Sequence, residues 1–324
     1  TEFCSVCHKV HLPLALNKFK QIDGNSYQKS FIRGQNHYDA FLLSGLGHGA
    51  SSFYYPPKAE TNCNRCHMPL VASTDFGARP FSDSGQLQVH NHLFPGANTG
   101  IAWFRDRPQV IASQQEFLAG TMRVDLFGIR DGGGLSDRLH APLRPAVPTL
   151  KAGTSYLLDA VIRTVKLGHL FTQGTVDSNE VWLEVTVRSG DRVIGASGKF
   201  DADREVDPWS HFVNVFLLDV NGRRIDRRNP QDIFTPLYNH QIPPGAGQVV
   251  HYQLELPRRL DGPITVEVKL NYRKFDKQYT DFIARNHKPG DRDIRGLDTA
   301  TGQLPNQLPV TVLAVDRVTF PVEG

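Results

Sequence analysis

The sequence predicts a mixed fold: an irregular, partly helical N-terminal domain over residues 1–120, then an all-β, immunoglobulin-like sandwich over 121–324. Three observations carry that division. Glycine, asparagine, aromatic and histidine residues crowd the first hundred positions without a sustained apolar period. From about residue 150 onward, stretches of apolar/polar alternation recur between turn residues. All four cysteines lie in the first region, in two copies of the pattern C-x-x-C-H.

Those copies are Cys4-Ser5-Val6-Cys7-His8 and Cys63-Asn64-Arg65-Cys66-His67. The pattern is the attachment signature of a c-type haem. Two thiols add across the two vinyl groups as thioethers, and the adjacent histidine reaches the iron. Cys4, Cys7, Cys63 and Cys66 are then the thioether residues, and His8 and His67 the proximal iron ligands. A Cys4 zinc site or a pair of disulfides is the alternative. Zinc pairs are usually separated by about 12–20 residues, however, and zinc gives no reason for a histidine after each pair. The expected cofactor is haem c, two per chain, covalently attached.

With so few periodic apolar residues, the first domain is expected to be haem-packing: the chain wraps porphyrins and buries them in place of a conventional core. One helix is expected over Tyr38–Ser44, with loops elsewhere. Phe31, Tyr38, Phe41, Phe53, Tyr54 and Tyr55 are candidates to pack on the rings. Seven of the 13 histidines fall here, whereas the chain has two methionines, Met68 and Met122. Met68 adjoins a proximal ligand and cannot fold back onto the same iron. Histidine is therefore the expected sixth ligand on both irons, which sets a lower potential than a His/Met pair. His92, His37 and His48 are the distal candidates; His11 and His90 rank below them.

The following residues justify the rest of the fold. Pro108–Leu118 reads as a connecting helix ending at Gly120. Gly132 to Gly134 and Pro142, Pro145 and Pro148 mark an irregular connection. Val181, Leu183, Val185 and Val187 alternate with Trp182, Glu184 and Thr186. The same period runs through Val250–Leu256 and Ile264–Tyr272. Further strands are expected over Tyr156–Val165, Val193–Phe200, Phe212–Val220 and Val310–Phe320. Asn221-Gly222 reads as a hairpin turn, and Lys277–Ala284 as a helical piece. Such a set indicates a sandwich, with no cysteine left for an inter-sheet disulfide. Arg223, Arg224, Arg227 and Arg228 read as a solvated basic loop, with docking to a haem propionate or an acidic partner as the alternative.

Several segments resemble bacterial multihaem c-type cytochromes: Phe3-Cys4-Ser5-Val6-Cys7-His8-Lys9-Val10-His11, Cys66-His67-Met68-Pro69 and His92-Leu93-Phe94-Pro95-Gly96-Ala97-Asn98. Gly168-His169-Leu170-Phe171-Thr172-Gln173-Gly174 is similar to the G-H-x-F-P-T-G segment of such proteins, departing from it at Thr172 and Gln173. The resemblance implies that His92 and His169 are haem ligands. It also implies electron transfer through closely spaced haems in a protein that usually carries more than two. His169 would then clamp the sandwich to the haem domain, or to a haem of a preceding part of the polypeptide or of a second subunit; the alternative is a loop histidine that hydrogen-bonds locally.

Composition limits the other classes. At 324 residues, 40% hydrophobic and 21% charged, the chain has room for two domains. It holds no apolar run long enough to span a membrane. It also has no phosphate-binding glycine loop, nucleophile elbow or zinc-protease motif. Basic and aromatic residues do not interleave as a nucleic-acid surface requires. The formal charge of +3 is offset by the haem propionates and is weak evidence for an acidic partner. The leading expectation is an electron carrier whose partners are other redox proteins or haem domains. A haem enzyme of nitrogen-compound type with an open iron, or an assembly or adhesion module carrying haems, is the alternative. Haem attachment outside the cytoplasmic membrane implies a periplasmic or extracellular bacterial protein. There is no N-terminal signal peptide, and Cys4 lies very near the start. The chain is therefore expected to be a trimmed product or part of a longer polypeptide, or to have that haem covered by another subunit.

Overall fold

The computed structural model describes residues 2–9, 36–48, 62–173 and 176–323. His11, Phe31, Phe53, Tyr54 and Tyr55 lie outside them. Among the described residues, the first region holds the short helices α1 (Glu2–His8), α2 (His37–Leu43) and α3 (Asn64–His67). Asn36 caps α2, its side-chain oxygen accepting the Asp39 N–H at 3.2 Å. Lys9 ties α1 to α2 through an ion pair with Asp39 at 2.9 Å. A 3-10 turn, Gly45–His48, follows α2.

Strands β1 (Leu70–Ala72), β2 (Arg79–Pro80) and β3 (Leu87–His90) form a small antiparallel sheet with β3 in the middle. Sequence reading expects only loops here. The strands are two to four residues long and largely exposed, too short to show a period. Helices α4 (Thr99–Phe104) and α5 (Pro108–Leu118) complete this region. Proline opens α5, where its missing N–H costs nothing, and Gly120 beyond its end has φ +71°. The expected bounds of this helix hold.

The remaining strands are β4 (Met122–Asp131), β5 (Leu139–His140), β6 (Leu150–Lys151), β7 (Ser155–Thr164), β8 (Glu180–Ser189), β9 (Arg192–Ser197), β10 (Val215–Leu218), β11 (Thr235–Asn239), β12 (Gly247–Glu255), β13 (Ile264–Arg273), β14 (Thr311–Phe320) and β15 (Val322–Glu323). Helix α6 (Lys277–Asn286) lies between β13 and β14. Two four-stranded antiparallel sheets dominate, in the orders β12-β7-β4-β5 and β14-β13-β8-β9. Between them lies one apolar core. Leu158, Ala160 and Ile162 of β7 meet Val181, Leu183 and Val185 of β8 and Ile264, Val266, Val268 and Leu270 of β13. Each of these leucine, isoleucine and valine side chains contributes about 1.5–3 kcal/mol on burial, which is why the alternating stretches were legible as strands.

Two strands differ from expectation. β4 was not anticipated, although Met122, Val124 and Leu126 point inward and Arg123 and Phe127 outward. Its register against β7 slips between Leu126 and Gly128, and the bulge breaks the period before it becomes readable. The Phe212–Val220 stretch is a strand only over β10, whose partner is β11. The Asn221-Gly222 turn does form, with Gly222 at φ +75° and its N–H on the Asp219 carbonyl at 3.1 Å. The chain then pairs back only through a Leu218–Arg224 bridge.

The basic run is not simply a solvated loop. Arg224 pairs with buried Asp276 at 2.6 Å. The guanidinium carbon of Arg228 lies 4.7 Å from the Phe275 ring centre and 5.0 Å from that of Tyr279. Arg223 and Arg227 are exposed, Arg227 pairing with Asp226 at 3.3 Å.

Candidate functional site

Helices α1 and α3 position the two cysteine motifs. Residues three apart share one helix face, so a C-x-x-C helix presents both thiols on one side, with the histidine one step further on. None of Cys4, Cys7, Cys63 and Cys66 is in a disulfide. In α3 the turn is closed by the His67 N–H on the Cys63 carbonyl at 3.0 Å and the Met68 N–H on that of Asn64 at 2.8 Å.

The two motif histidines belong to one group of four rings. His8 and His37 lie with centroids 5.0 Å apart and their Nδ1 atoms at 3.4 Å. The His37 and His169 centroids are 4.9 Å apart. His169 and His67 lie 6.1 Å apart with planes within 9° of parallel. The group thus runs His8–His37–His169–His67 and joins the two motifs through one residue of α2 and one of the segment after β7.

That segment is held at both ends. The Val165 and Lys166 N–H groups donate to the Thr121 carbonyl at 2.9 and 3.1 Å. Leu167 and Phe171 are buried, the latter 5.2 Å from the Tyr272 ring. His169 stands between these anchors. Gly168 faces α2 so closely that a Cβ would come within 3.2 Å of the Phe41 ring, which lets His37 and His169 approach. Phe41, a candidate to pack on a haem, is buried against this glycine. Tyr38 has the Lys9 ammonium 5.6 Å from its ring centre.

The hydrogen bonds set the tautomers. His67 Nδ1 lies 2.9 Å from the Pro95 carbonyl oxygen, and His169 Nδ1 2.9 Å from that of Leu170. A carbonyl only accepts, so Nδ1 carries the proton and the lone pair sits on Nε2. This is the arrangement that orients a histidine toward a metal. Phe117 of α5 flanks the His67 ring at 5.5 Å. The Pro95 carbonyl belongs to the H-x-F-x-G-A-N segment, and the Tyr272 hydroxyl anchors that segment to the sandwich by donating to the Ala97 carbonyl at 2.5 Å. Sequence reading could not find the Pro95 contact, because the acceptor is backbone.

Burial disfavours the charged form of three of these rings, His37, His169 and His8. His37 is pushed down to about 3, first by burial and then by His169, His8, His67 and Lys274. His169 is pushed down to about 4 by burial, with the Leu170 carbonyl opposing and His67 and His8 adding to the depression. His8 is lowered by burial and then by His67. Neutral imidazole is the ligating form.

A haem fits the His67–His169 pair. Porphyrin supplies four nitrogens to iron, leaving two positions for protein side chains. Two imidazoles bound at about 2 Å to one metal have ring centres roughly 6 Å apart, the separation of His67 and His169. Among the described residues, no three His, Cys, Asp or Glu side chains converge as a cage for a bare ion.

The other candidates are not in the four-ring group. His92 has Phe94 as its ring neighbour, at 6.0 Å. His90 donates from Nδ1 to the Met68 carbonyl at 2.7 Å and sits 5.1 Å from the Phe81 ring. His48 ends the 3-10 turn, and its side chain lies outside the described ones, as does the whole of His11.

No protein-family model and no curated protein matches the chain. Among solved structures, it is similar to a penta-haem cytochrome c552 from Thermochromatium tepidum, with a TM-score of 0.52 over 98% of this chain at 13% identity. The chain spans 55% of that cytochrome's length. An alkylpurine DNA glycosylase from Pseudomonas fluorescens covers 65% of the chain and 33% of its own at 6% identity. Its TM-score of 0.20 carries no argument. Among the described residues, no helix is long and apolar enough to cross a membrane. At such identity the likeness is one of fold alone, and the fold matched is that of a multihaem cytochrome.

Proposed function

We propose that the chain is part of a multihaem c-type cytochrome, carries two covalently bound haems and transfers electrons. Cys4, Cys7, Cys63 and Cys66 hold the haems, and His8 and His67 are the proximal ligands. His169 is the distal partner of His67; His8 and His37, with ring centres 5.0 Å apart, would have to part by about 1 Å to take an iron between them. The observation that carries this reading is the four-ring group, above all the near-parallel His67–His169 pair at 6.1 Å. When bound, haem iron supplies one-electron chemistry through its ferric and ferrous states.

The residues of this chain tune that chemistry. The Pro95 and Leu170 carbonyls hold the Nδ1 protons of His67 and His169, orient the rings and raise their basicity. Bis-histidine ligation and burial are levers on the potential. Leu167, Phe171 and Phe117 exclude water from the rings they flank. His92 and His48 serve irons of neighbouring haems in the assembled protein.

In this reading residues 1–120 form the haem domain and 121–324 an immunoglobulin-like sandwich that reaches into it with His169. The orders β12-β7-β4 and β14-β13-β8-β9, read along the chain, support that topology. Its place is the periplasm or cell surface, and its partners are other redox proteins or haem domains. The mass of the denatured holoprotein tests the proposal: two haem increments are expected, and their absence overturns it.

A further inference from the structure

Outside the histidine group, helix α6 and two loops surround an open cavity of about 610 Å³, a volume in the range of small-molecule sites. Lys277, Asp281, Ala284 and Arg285 of α6 line it, and their spacing of four, three and one residues puts them on one helix face. Asp203 and Arg204 line it from the turn between β9 and β10, and Leu304 from the stretch before β14. Leu304 and Ala284 are buried, so the deepest part of the lining is apolar.

Arg204 is built into this wall. Its turn is closed by pairing of Phe200 with Val206, and its φ is +61°. That left-handed position suits glycine or asparagine and costs other residues about 1–2 kcal/mol. Three hydrogen bonds hold arginine there. Its N–H donates to the Asp201 carbonyl at 3.1 Å, its carbonyl accepts from Arg273 Nη1 at 2.7 Å, and its Nε donates to the Asn306 carbonyl at 2.7 Å. Asn306 stands between Pro305 and Gln307, which both line the cavity. The guanidinium carbon also lies 5.0 Å from the Phe200 ring centre. The fork is thus fixed along the lining while its two Nη atoms keep their donor capacity.

The charges do not cancel. Lys277 pairs with Asp281 at 2.7 Å, whereas Arg204 and Arg285 form no ion pair among the described residues. Arg204, Lys277 and Arg285 stand against Asp203 and Asp281, an excess of one positive charge that a monoanion matches. We propose that the cavity binds a small monocarboxylate with an apolar body. The Arg204 fork takes the carboxylate, Arg285 adds its field, and Leu304 and Ala284 receive the hydrocarbon. The inference does not depend on the haem reading.

The test is calorimetric titration of the holoprotein with butanoate at low ionic strength. Saturable binding is expected, weaker for acetate by about fourfold for each methylene that the longer chain buries. Arg204→Asn keeps a residue suited to the turn and should weaken butanoate about tenfold or more. Arg285→Gln, on an exposed helix position, should weaken it as well and decides the matter if Arg204→Asn does not fold. Arg258→Gln, exposed and outside the lining, should leave the affinity unchanged. No saturable heat with butanoate overturns the site. So do equal affinities for butanoate and acetate, an affinity that survives both cavity variants, or an equal loss in Arg258→Gln, which would mark general charge screening.

Discussion

His169 shows how much one side chain is asked to do. It stands between the anchors Leu167 and Phe171, its Nδ1 is committed to a carbonyl, and its ring lies parallel to that of His67. His169→Ala should therefore open one iron, giving a new high-spin signal in EPR with haem content preserved. An unaltered spectrum would reduce His169 to a buried hydrogen-bonding residue. His92→Ala in the same isolated chain should leave the spectrum unchanged, because His92 packs on Phe94 outside the four-ring group. A loss of low-spin signal there would reassign the distal ligand. Gly198 is constrained in another way: at φ +77° it accepts the Trp182 indole N–H on its carbonyl at 3.0 Å, and a Cβ would clash with the Leu183 carbonyl. Gly198→Ala should destabilise by more than ~1 kcal/mol in urea unfolding.

At the scale of elements, the strands with unbroken alternation were legible and those with a bulge were not. β13 presents Ile264, Val266, Val268 and Leu270 to the core, and period two follows from the pleat alone. β4 obeys the same rule until Phe127, where the slip conceals it. Helix α6 has its start written locally: the Asp276 side chain accepts the Tyr279 N–H at 2.8 Å. The same carboxylate takes Arg224 at 2.6 Å from a loop 52 residues away. Asp276→Ala removes the cap and strands the arginine, so a loss of about 3 kcal/mol is expected. Asp276→Asn keeps the cap and should cost less; equal losses by urea unfolding would mean that the cap contributes nothing.

Over the whole molecule the apolar core runs from Leu118 to Phe320, whereas before Ala102 the described buried hydrophobic side chains are Phe41 and Leu46. Without haem, the described residues before Ala102 have little apolar packing to hold them. Limited proteolysis of cofactor-free chain should therefore cut before residue 100 and leave the two-sheet core intact; first cuts within the strands would refute this. The cysteine motifs were legible in the sequence alone, because both thiols and the adjacent histidine lie within one turn and the pattern needs no distant partner. The same is true of the helix Pro108–Leu118 and of the alternating strands, whose signals are periods and caps. Which histidines face those motifs was decided by tertiary structure. His67 and His169 are separated by about a hundred residues of chain, and the approach depends on where β7 ends, on the room left at Gly168 and on the Pro95 carbonyl. A ligand for the opposite face of a haem must come from another part of the chain, since one helical turn reaches only one face, and no local pattern records which part will arrive.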